Sequence, residues 1–274
     1  MRVKFYGTRG SIPVCHPDFL QFGGNTTCIK VEFGDGAFAI LDAGTGIREL
    51  GQEIINSPEY KANKQVYILF THFHWDHIQG FPFFSPAYDK EATIHILALG
   101  LGREIKCLEE IFATQMQKEF FPVQLDNMGA HFNFLLYDKP MEMFGDIKVM
   151  ALRHQHPGGA YSYRIEENGK SIVFCTDIEH GNSVDEEVVA FCRDADLLIH
   201  DAQYTREELN QHRTWGHSSY EQALEVAKRA AVKRLILTHH DPSHSDAFLE
   251  KREKECRQQF EGALLARENM QIEV

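Results

Sequence analysis

The sequence lacks several features that would place it in a specialised class. It has no run of about 18 or more apolar residues, so a membrane-spanning helix is not expected. Its six cysteines include no CxxC pair, which argues against a zinc ribbon and a disulfide framework. No apolar signal-peptide core lies near Met1. We therefore expect a cytoplasmic protein with reduced thiols and no membrane partner.

Basic residues are also fewer than acidic residues. Lys and Arg number 28 against 40 Asp and Glu, a formal net charge of −12. Broad binding to a phosphate backbone depends on an excess of Lys and Arg, so nucleic acid is not expected as the main partner. Repeats, low-complexity tracts and Pro/Ser-rich linkers are missing too. The 274 residues are therefore expected to form a single domain, 1–274.

Short strands separated by turns are predicted in both halves of the chain, and helices follow them. The predicted strands are 1–6, 28–33, 37–42, 66–71, 93–97, 147–152, 160–166, 171–175, 197–200 and 234–238. The predicted helices are 47–56, 104–120 and 218–230, the last with Ser218 as N-cap and Glu221 completing a capping box. This order predicts two sheets packed face to face with helices outside, an α+β fold.

Histidine is abundant, with 15 residues against two tryptophans. Four potential ligands (His72, His74, Asp76 and His77) lie in one segment directly after a predicted strand. Further candidates also follow predicted strands: His156, Asp177, and the pair His239 and His240. Imidazole nitrogen and carboxylate oxygen suit Zn²⁺, Mn²⁺ or Fe better than Cu(I). A His-rich surface loop is the alternative, but the density of ligands favours a metal site.

These residues resemble the motifs of the metallo-β-lactamase superfamily. The HxHxDH segment 72–77 is followed in order by His156, Asp177 and His239, and Leu41-Asp42-Ala43-Gly44 is similar to the early Asp-Gly motif. The segments 197–202, 215–219 and 237–239, and the spacing from His156-Pro157 to Tyr163-Arg164, are similar to the branch of ribonuclease Z and of the cyclic phosphodiesterase of phosphonate breakdown. The resemblance covers essentially the whole chain and implies a four-layer αββα sandwich.

The resemblance also implies a site with two divalent metal ions, zinc first and manganese or iron as alternatives. His72, His74 and His156 would hold one ion. Asp76, His77 and His239 would hold the other, and Asp177 would bridge the two. Asp76 is also counted with the catalytic residues. Leu-Thr-His matches the family at His239, so His239 is preferred to His240 as the ligand.

The catalytic residues implied by the same resemblance are His217 and Asp201. His217 would contact the substrate phosphate and protonate the leaving oxygen after a metal-bridging hydroxide attacks phosphorus. Asp201, where ribonuclease Z typically has Glu, would orient His217. Two further histidines are candidate substrate contacts. The alternative for His154 is a supporting role behind His156. The alternative for His180 is that it is an ordinary loop histidine.

Two features separate the chain from ribonuclease Z. Asp177 and His200 are only 23 positions apart, too close for the long basic arm that ribonuclease Z uses to grip tRNA. The acidic net charge agrees with this. We therefore expect a phosphodiesterase for small or cyclic phosphodiesters. A hydrolase of thioesters, lactones or β-lactams, a tRNA 3′-processing nuclease, a di-iron oxygen reductase and a metal-stabilised binding module without activity are the alternatives.

The segment 100–136 carries a predicted helix and several aromatic residues. It is expected to be an insertion that forms either a lid over a small substrate or a dimer contact, with ordinary core packing as the alternative. A homodimer is implied by the resemblance alone.

Overall fold

Fourteen strands form the two central layers of the structure, a computed structural model that describes residues 1–274. The strands of the first half are β1 (Arg2–Gly7), β2 (Cys28–Glu32), β3 (Phe38–Leu41), β4 (Gln65–Leu69), β5 (Thr93–Leu99) and β6 (His131–Tyr137). Those of the second half are β7 (Met141–Phe144), β8 (Ile147–His154), β9 (Ala160–Glu167), β10 (Lys170–Cys175), β11 (Leu197–Asp201), β12 (Leu235–Thr238), β13 (Ala263–Leu265) and β14 (Gln271–Glu273).

Eight α-helices connect and cover the strands, and none of them has the length and apolar character needed to cross a lipid bilayer. They are α1 (Ile47–Asn56), α2 (Pro58–Asn63), α3 (Trp75–Ile78), α4 (Leu108–Gln115), α5 (Glu186–Phe191), α6 (Arg206–Gln211), α7 (Tyr220–Arg229) and α8 (Asp246–Gln259). In α1, the buried residues Ile47, Leu50 and Ile54 follow the three-to-four-residue spacing of one helix face.

Each sheet has seven strands and combines a parallel with an antiparallel part. The first has the order β14-β1-β2-β3-β4-β5-β6, parallel from β3 to β6, and the second has the order β13-β12-β11-β10-β9-β8-β7, parallel from β10 to β13. Between β9 and β10, Asn168 and Gly169 both have positive φ (51° and 75°), as a two-residue type I′ turn requires.

Three apolar clusters hold the layers together. One lies between the two sheets and draws residues from strands of both, such as Phe5, Ile29, Phe174 and Ile236. A second packs α1 and α4 on the outer face of the first sheet, and a third packs α5, α7 and α8 on the outer face of the second. This arrangement confirms the predicted αββα sandwich, because each sheet buries one face against its partner and the other against helices.

The segment 100–136 differs from the predicted long helix. The helix α4 covers only Leu108–Gln115, since Cys107 is extended (φ −145°, ψ 115°) and Met116 ends the helix. Phe112 is fully buried in the core, and Phe132 and Phe134 pack against it from β6, the edge strand of the first sheet. Phe120, in contrast, is exposed. The role of this segment as a lid or dimer contact stays a prediction.

The predicted start of α7 is displaced by one residue. Ser219 is the N-cap, and its hydroxyl accepts a hydrogen bond from the amide of Gln222, whose side chain accepts one from the Ser219 amide. Ser218 is held elsewhere, because its amide donates to Asp201 and its hydroxyl donates to the carbonyl of Ile178. Tertiary contacts therefore decide between two neighbouring serines that local sequence does not distinguish.

The carboxyl ends of six strands open onto one edge of the sandwich. In the first sheet these are β3 and β4; in the second they are β10, β11, β12 and β8, which runs in the same direction as β10 because both are antiparallel to β9. Asp42, Asp177 and His239 follow β3, β10 and β12 with φ of 60°, 54° and 63°. Left-handed backbone is uncommon for residues other than glycine and is concentrated at functional sites. This edge of the sandwich is therefore the expected position of a functional site.

Candidate active site

The segment that follows β4 brings four ligand-type side chains to this edge. His72 and His74 lie in extended backbone, and Asp76 and His77 lie in the single turn of α3. The start of the segment is fixed by Arg103, whose guanidinium donates to the carbonyls of Phe70 (3.1 Å), Thr71 (3.2 Å) and Leu99 (2.9 Å). Alternation in the extended part and the turn of α3 together direct His72 and His74 one way and Asp76 and His77 another.

His72, His74 and His156 converge on one point, and we call them the imidazole triad. One ring nitrogen from each lies within 4.8 Å of the other two, and Nε2 of His156 is 3.0 Å from Nδ1 of His74. Nε2 of His72 is buried without a hydrogen-bond partner. Burial lowers the pKa of His72 well below its usual value and that of His156 to about 4. Neutral rings with free lone pairs are the form that binds a metal ion.

Asp76, His77, Asp177 and His239 form a second cluster, which we call the carboxylate group. Nε2 of His77 is 3.1 Å from Oδ2 of Asp177, and Nε2 of His239 is 3.1 Å from Oδ2 of Asp76. The other oxygen of Asp177 lies 3.7 Å from Nε2 of His72. Asp177 therefore lies between the two clusters and contacts both.

Protonation in the carboxylate group is the reverse of that in the triad. Burial acts to lower the pKa of His239, but Asp177 and Asp76 raise it to about 9. Burial also acts against protonation of His77, and the same two carboxylates with Asp42 raise its pKa well above the usual value. Burial would raise the pKa of Asp76, but His77 and His239 hold it well below the usual range. Without metal, this group consists of imidazolium–carboxylate pairs.

In His77, His239 and His156, the Nδ1 atom has a defined partner. Asp42 bonds Nδ1 of His77 at 2.8 Å, and its carboxylate also accepts the amide of Thr71 at 2.8 Å. Gln203 Oε1 lies 3.0 Å from Nδ1 of His239. Nδ1 of His156 lies 2.9 Å from the carbonyl of Gly216. In the neutral ring, such a partner holds the proton on Nδ1 and leaves Nε2 free to bind a cation.

His217 lies beside the carboxylate group in contact with Asp201. Nδ1 of His217 is 2.9 Å from Oδ2 of Asp201, which is fully buried, and the His217 ring stacks on His239 at a centroid distance of 5.0 Å. The loop before His217 is anchored by Glu179, whose carboxylate accepts the amides of Thr214 (2.8 Å) and Gly216 (2.9 Å). Asp201, His217 and His239 also come close enough to form a third potential ligand set.

The family model described as a Beta-lactamase superfamily domain matches residues 39–240, the part of the chain that carries both clusters and His217. The chain belongs to the metallo-β-lactamase superfamily. It is a hydrolase of that superfamily, as expected from its motifs.

Curated relatives of this superfamily member are ribonuclease Z proteins. The ribonuclease Z of Picrophilus torridus is 23% identical over 323 aligned residues, covering 100% of this chain and 96% of the relative. That of Archaeoglobus fulgidus is 26% identical over 324 residues, covering 100% and 97%. The similarity spans the whole chain, as the motifs predicted.

Solved structures show the same fold. The metallo-β-lactamase fold protein YhfI from Bacillus subtilis has a TM-score of 0.73 at 20% identity, covering 100% of this chain and 98% of its own. The short form of human tRNase Z has a TM-score of 0.70 at 21% identity, covering 100% and 99%. A diphosphatase of the PhnP family has a TM-score of 0.70 at 18% identity, covering 100% and 97%. At these identities the likeness concerns the fold alone.

The structure places the remaining predicted histidines outside the two clusters. His154 is buried with both ring nitrogens unpartnered, and burial lowers its pKa. His180 is buried against His200, with their Nε2 atoms 3.2 Å apart, and burial with His200 lowers its pKa to about 2. His240 turns away from the site, and its Nε2 lies 2.9 Å from the carbonyl of Ala266. Of the neighbouring pair, His239 is therefore the one in the carboxylate group.

Several residues that support the site were absent from the predicted set. Asp42 had a signal in the Leu-Asp-Ala-Gly segment, although its contact with His77 was not predicted. Gln203 had no signal in the sequence, because nothing in its local sequence indicates that its side chain contacts His239. Ser11, with φ of 64°, donates its amide to Oδ2 of Asp76 at 2.8 Å, another contact with no local signal.

Proposed function

We propose that this hydrolase is a dinuclear metal-dependent phosphodiesterase that acts on small or cyclic phosphodiesters. The observation that carries the proposal is the Asp201–His217 pair next to two ligand clusters. A histidine held through Nδ1 by a buried carboxylate presents Nε2 as a proton donor or acceptor. Hydrolysis of a phosphodiester needs such a donor, since the leaving alkoxide must be protonated.

The residues present fit two divalent ions. The imidazole triad would hold one, and Asp76, His77 and His239 the other, with Asp177 shared between them. The fit rests on the buried Nε2 atom of His72, which has no hydrogen-bond partner, and on the convergence of the ligand-type atoms of each cluster to within 4.8 Å of one another. Imidazole and carboxylate ligands favour zinc, with manganese or iron as alternatives. When bound, two such ions neutralise the phosphodiester charge and activate water as a nucleophile.

The chain's own part in the reaction is to orient and protonate. Asp201 holds Nδ1 of His217 at 2.9 Å and also accepts the amides of Ser218 and Gln203 (2.9 and 3.1 Å), so the carboxylate is itself fixed. Contact with Tyr204, at a centroid distance of 5.9 Å, sets the plane of the His217 ring from another side. His217 would hold the proton on Nε2 and deliver it to the leaving oxygen.

The test is hydrolysis of bis(p-nitrophenyl) phosphate by protein loaded with Zn²⁺ or Mn²⁺, with metal content measured for each sample. Wild type is expected to turn over this ester. With both metals retained, His217→Ala is expected to lose about 10²–10⁴-fold in kcat on a 2′,3′-cyclic nucleotide, whose leaving alkoxide needs a proton, and much less on the p-nitrophenyl ester, whose leaving phenolate does not. His131→Ala, which changes an exposed histidine on β6 away from both clusters, serves as the control. Absence of turnover at full metal occupancy would overturn the proposal and favour thioesters or lactones as substrates.

A second candidate function is tRNA 3′-end processing, because the curated relatives that cover the whole chain are ribonuclease Z proteins. The net charge of −12 and the short interval between Asp177 and His200 argue against it. Incubation of the metal-loaded protein with a precursor tRNA carrying a 3′ trailer separates the two functions. Cleavage at the trailer, with turnover exceeding that on small diesters, would favour the nuclease. Homodimer formation stays a prediction, which sedimentation equilibrium would test.

A further inference from the structure

A cavity of about 260 Å³ opens beside the imidazole triad. His72 and His74 line its inner end, and Phe73, Ile105 and Ile111 provide an apolar wall. Neither His154 nor His180, the two histidines predicted to contact substrate, lines this cavity. The cavity therefore lies next to the ligand clusters, and part of its lining comes from the segment 100–136.

Two arginines line this cavity, and they differ in what they bind. The guanidinium of Arg103 donates to three main-chain carbonyls and to the hydroxyl of Tyr163, so its donors serve the fold. Arg153, on β8, is exposed, and its side chain makes no hydrogen bond or ion pair within the protein. Arg153 therefore has donors available for a ligand.

Gly158 lies close to the triad, and the adjacent Gly159 lies close to the guanidinium of Arg153. Both have φ of 81°, both line the cavity, and they follow His156 and Pro157 in the sequence. A Cβ on Gly158 would lie 3.9 Å from Nε2 of His74, and one on Gly159 would lie 3.2 Å from Nη2 of Arg153. Since adjacent Cα atoms are about 3.8 Å apart, His74 Nε2 and the guanidinium are separated by at most about 14 Å. A single nucleotide-sized molecule can span this distance.

We propose that Arg153 binds a second anionic group of the substrate, a phosphate monoester located beyond the scissile phosphodiester. The proposal rests on the proposed function, because it takes the scissile group to lie at the two ligand clusters. A guanidinium offers a planar pair of donors that matches phosphate oxygens. The apolar wall of Phe73, Ile105 and Ile111 would contact the organic part between the two anions.

Glu104 lines the same cavity, and its charge has the opposite effect. It makes no ion pair with Arg153, so it repels an anion in the cavity without neutralising the guanidinium. The two residues therefore make opposite predictions. Removing the charge of Arg153 should weaken the preference for a doubly anionic substrate, whereas removing the charge of Glu104 should strengthen it.

The experiment compares two substrates that differ by one phosphate. These are thymidine 5′-(p-nitrophenyl phosphate) and the same compound with a 3′-phosphate. In the zinc-loaded wild type, kcat/KM is expected to be higher for the 3′-phosphorylated substrate. Arg153→Gln should reduce that ratio by about 10-fold or more, and Arg153→Lys should restore part of it because the charge remains. Glu104→Gln should raise the ratio a few-fold through lost repulsion.

Arg48→Gln is the matched control, since Arg48 is an exposed arginine on α1 whose side chain makes no hydrogen bond or ion pair. It should leave the ratio unchanged. An unchanged ratio in Arg153→Gln would overturn the inference, as would a preference of the wild type for the substrate without the 3′-phosphate.

Binding separates failure of this inference from failure of the proposed function. Calorimetric titration of the zinc-loaded protein with thymidine 3′,5′-bisphosphate and with thymidine 5′-phosphate needs no turnover. If neither p-nitrophenyl ester is hydrolysed but Arg153→Gln selectively weakens the bisphosphate, the phosphodiesterase proposal fails and Arg153 remains an anion-binding residue. If both esters are hydrolysed and the two titrations respond equally to Arg153→Gln, the activity stands and the inference fails.

Discussion

The imidazole triad and the carboxylate group are neighbours that share Asp177, yet they hold protons in opposite ways. In the triad, burial lowers the pKa of each histidine, so the rings are neutral before any cation arrives. In the carboxylate group, His77 and His239 have raised pKa values because Asp76 and Asp177 lie within about 3.5 Å. Four ligand-type side chains from one HxHxDH segment therefore enter two different electrostatic environments.

The supports of the two clusters also differ. His156 of the triad relies on a main-chain carbonyl, that of Gly216, whereas His77 and His239 rely on the side chains of Asp42 and Gln203. A main-chain carbonyl remains in place when the side chain of its residue is substituted, so the partner of His156 is kept. The carboxylate group is therefore the cluster more open to change by mutation of its surroundings.

Replacing the shared residue should have the largest effect. Asp177→Asn removes the carboxylate that contacts His77, His239 and His72, so metal affinity is expected to fall at both clusters. Activity is expected to fall by about 10²–10⁴-fold, equivalent to about 3–5 kcal/mol of lost transition-state stabilisation. Activity and metal content per chain are the measurements, with the exposed Asp126→Asn as control. Full metal content in Asp177→Asn would show that Asp177 is not shared.

Two glycine substitutions should damage one cluster each. A Cβ on Gly216 would lie 2.1 Å from Nδ1 of His156, and one on Gly10 would lie 2.3 Å from Nδ1 of His239. Both rings must shift, and a displacement of about 1 Å is expected to reduce activity by about 10²-fold. Gly216→Ala should lose the ion of the triad and Gly10→Ala that of the carboxylate group. Gly36→Ala, where a Cβ would meet no atom within 4 Å, is a structural control. Loss of the same ion in both variants would contradict the division into two clusters.

A smaller effect is expected when the support of His77 is weakened. Asp42→Asn keeps the size of the side chain but removes the charge that bonds Nδ1 of His77, and the affinity for the second metal should fall by about 10–100-fold. Thr71→Val removes the hydroxyl 3.1 Å from Nδ1 of His72 and should have less effect on the triad. Competition with a chromogenic chelator measures both affinities. Equal losses in the two variants would argue that the charged support of His77 is no stronger than the neutral hydroxyl beside His72.

The smallest expected effect is the number of protons that the protein releases when zinc binds. Because the pKa of His239 is raised to about 9, its ring is protonated at pH 7.5 and must lose that proton to bind zinc. His77 also has a raised pKa, so loading should release about one to two protons, and zinc affinity should rise with pH up to about 9. Calorimetry in buffers of different ionisation enthalpy measures the release. His239→Asn should lower it by about one proton. An unchanged release would show that His239 is neutral before zinc binds.

Local pattern was sufficient for part of the fold and insufficient where tertiary contacts compete. Helix α1 begins and ends where it was predicted, since its apolar spacing decides its buried face. The predicted helix 104–120 shortened to Leu108–Gln115, and the N-cap of α7 moved from Ser218 to Ser219, because Ser218 is held by Asp201 and Ile178. Periodicity reports which face of an element is apolar but not which polar group competes for its ends.

The types of the candidate ligands, their order along the chain and the strands that carry them could be predicted from the sequence. Those features depend on neighbours a few residues apart, and a segment such as 72–77 can be recognised without the rest of the protein. The division of the candidate ligands between two clusters depends on the tertiary structure. His239 meets Asp76 across 163 positions of sequence, and Gln203 meets His239 across 36. The pKa of a buried histidine depends on such distant carboxylates and on its desolvation, which exist only after the two sheets pack together.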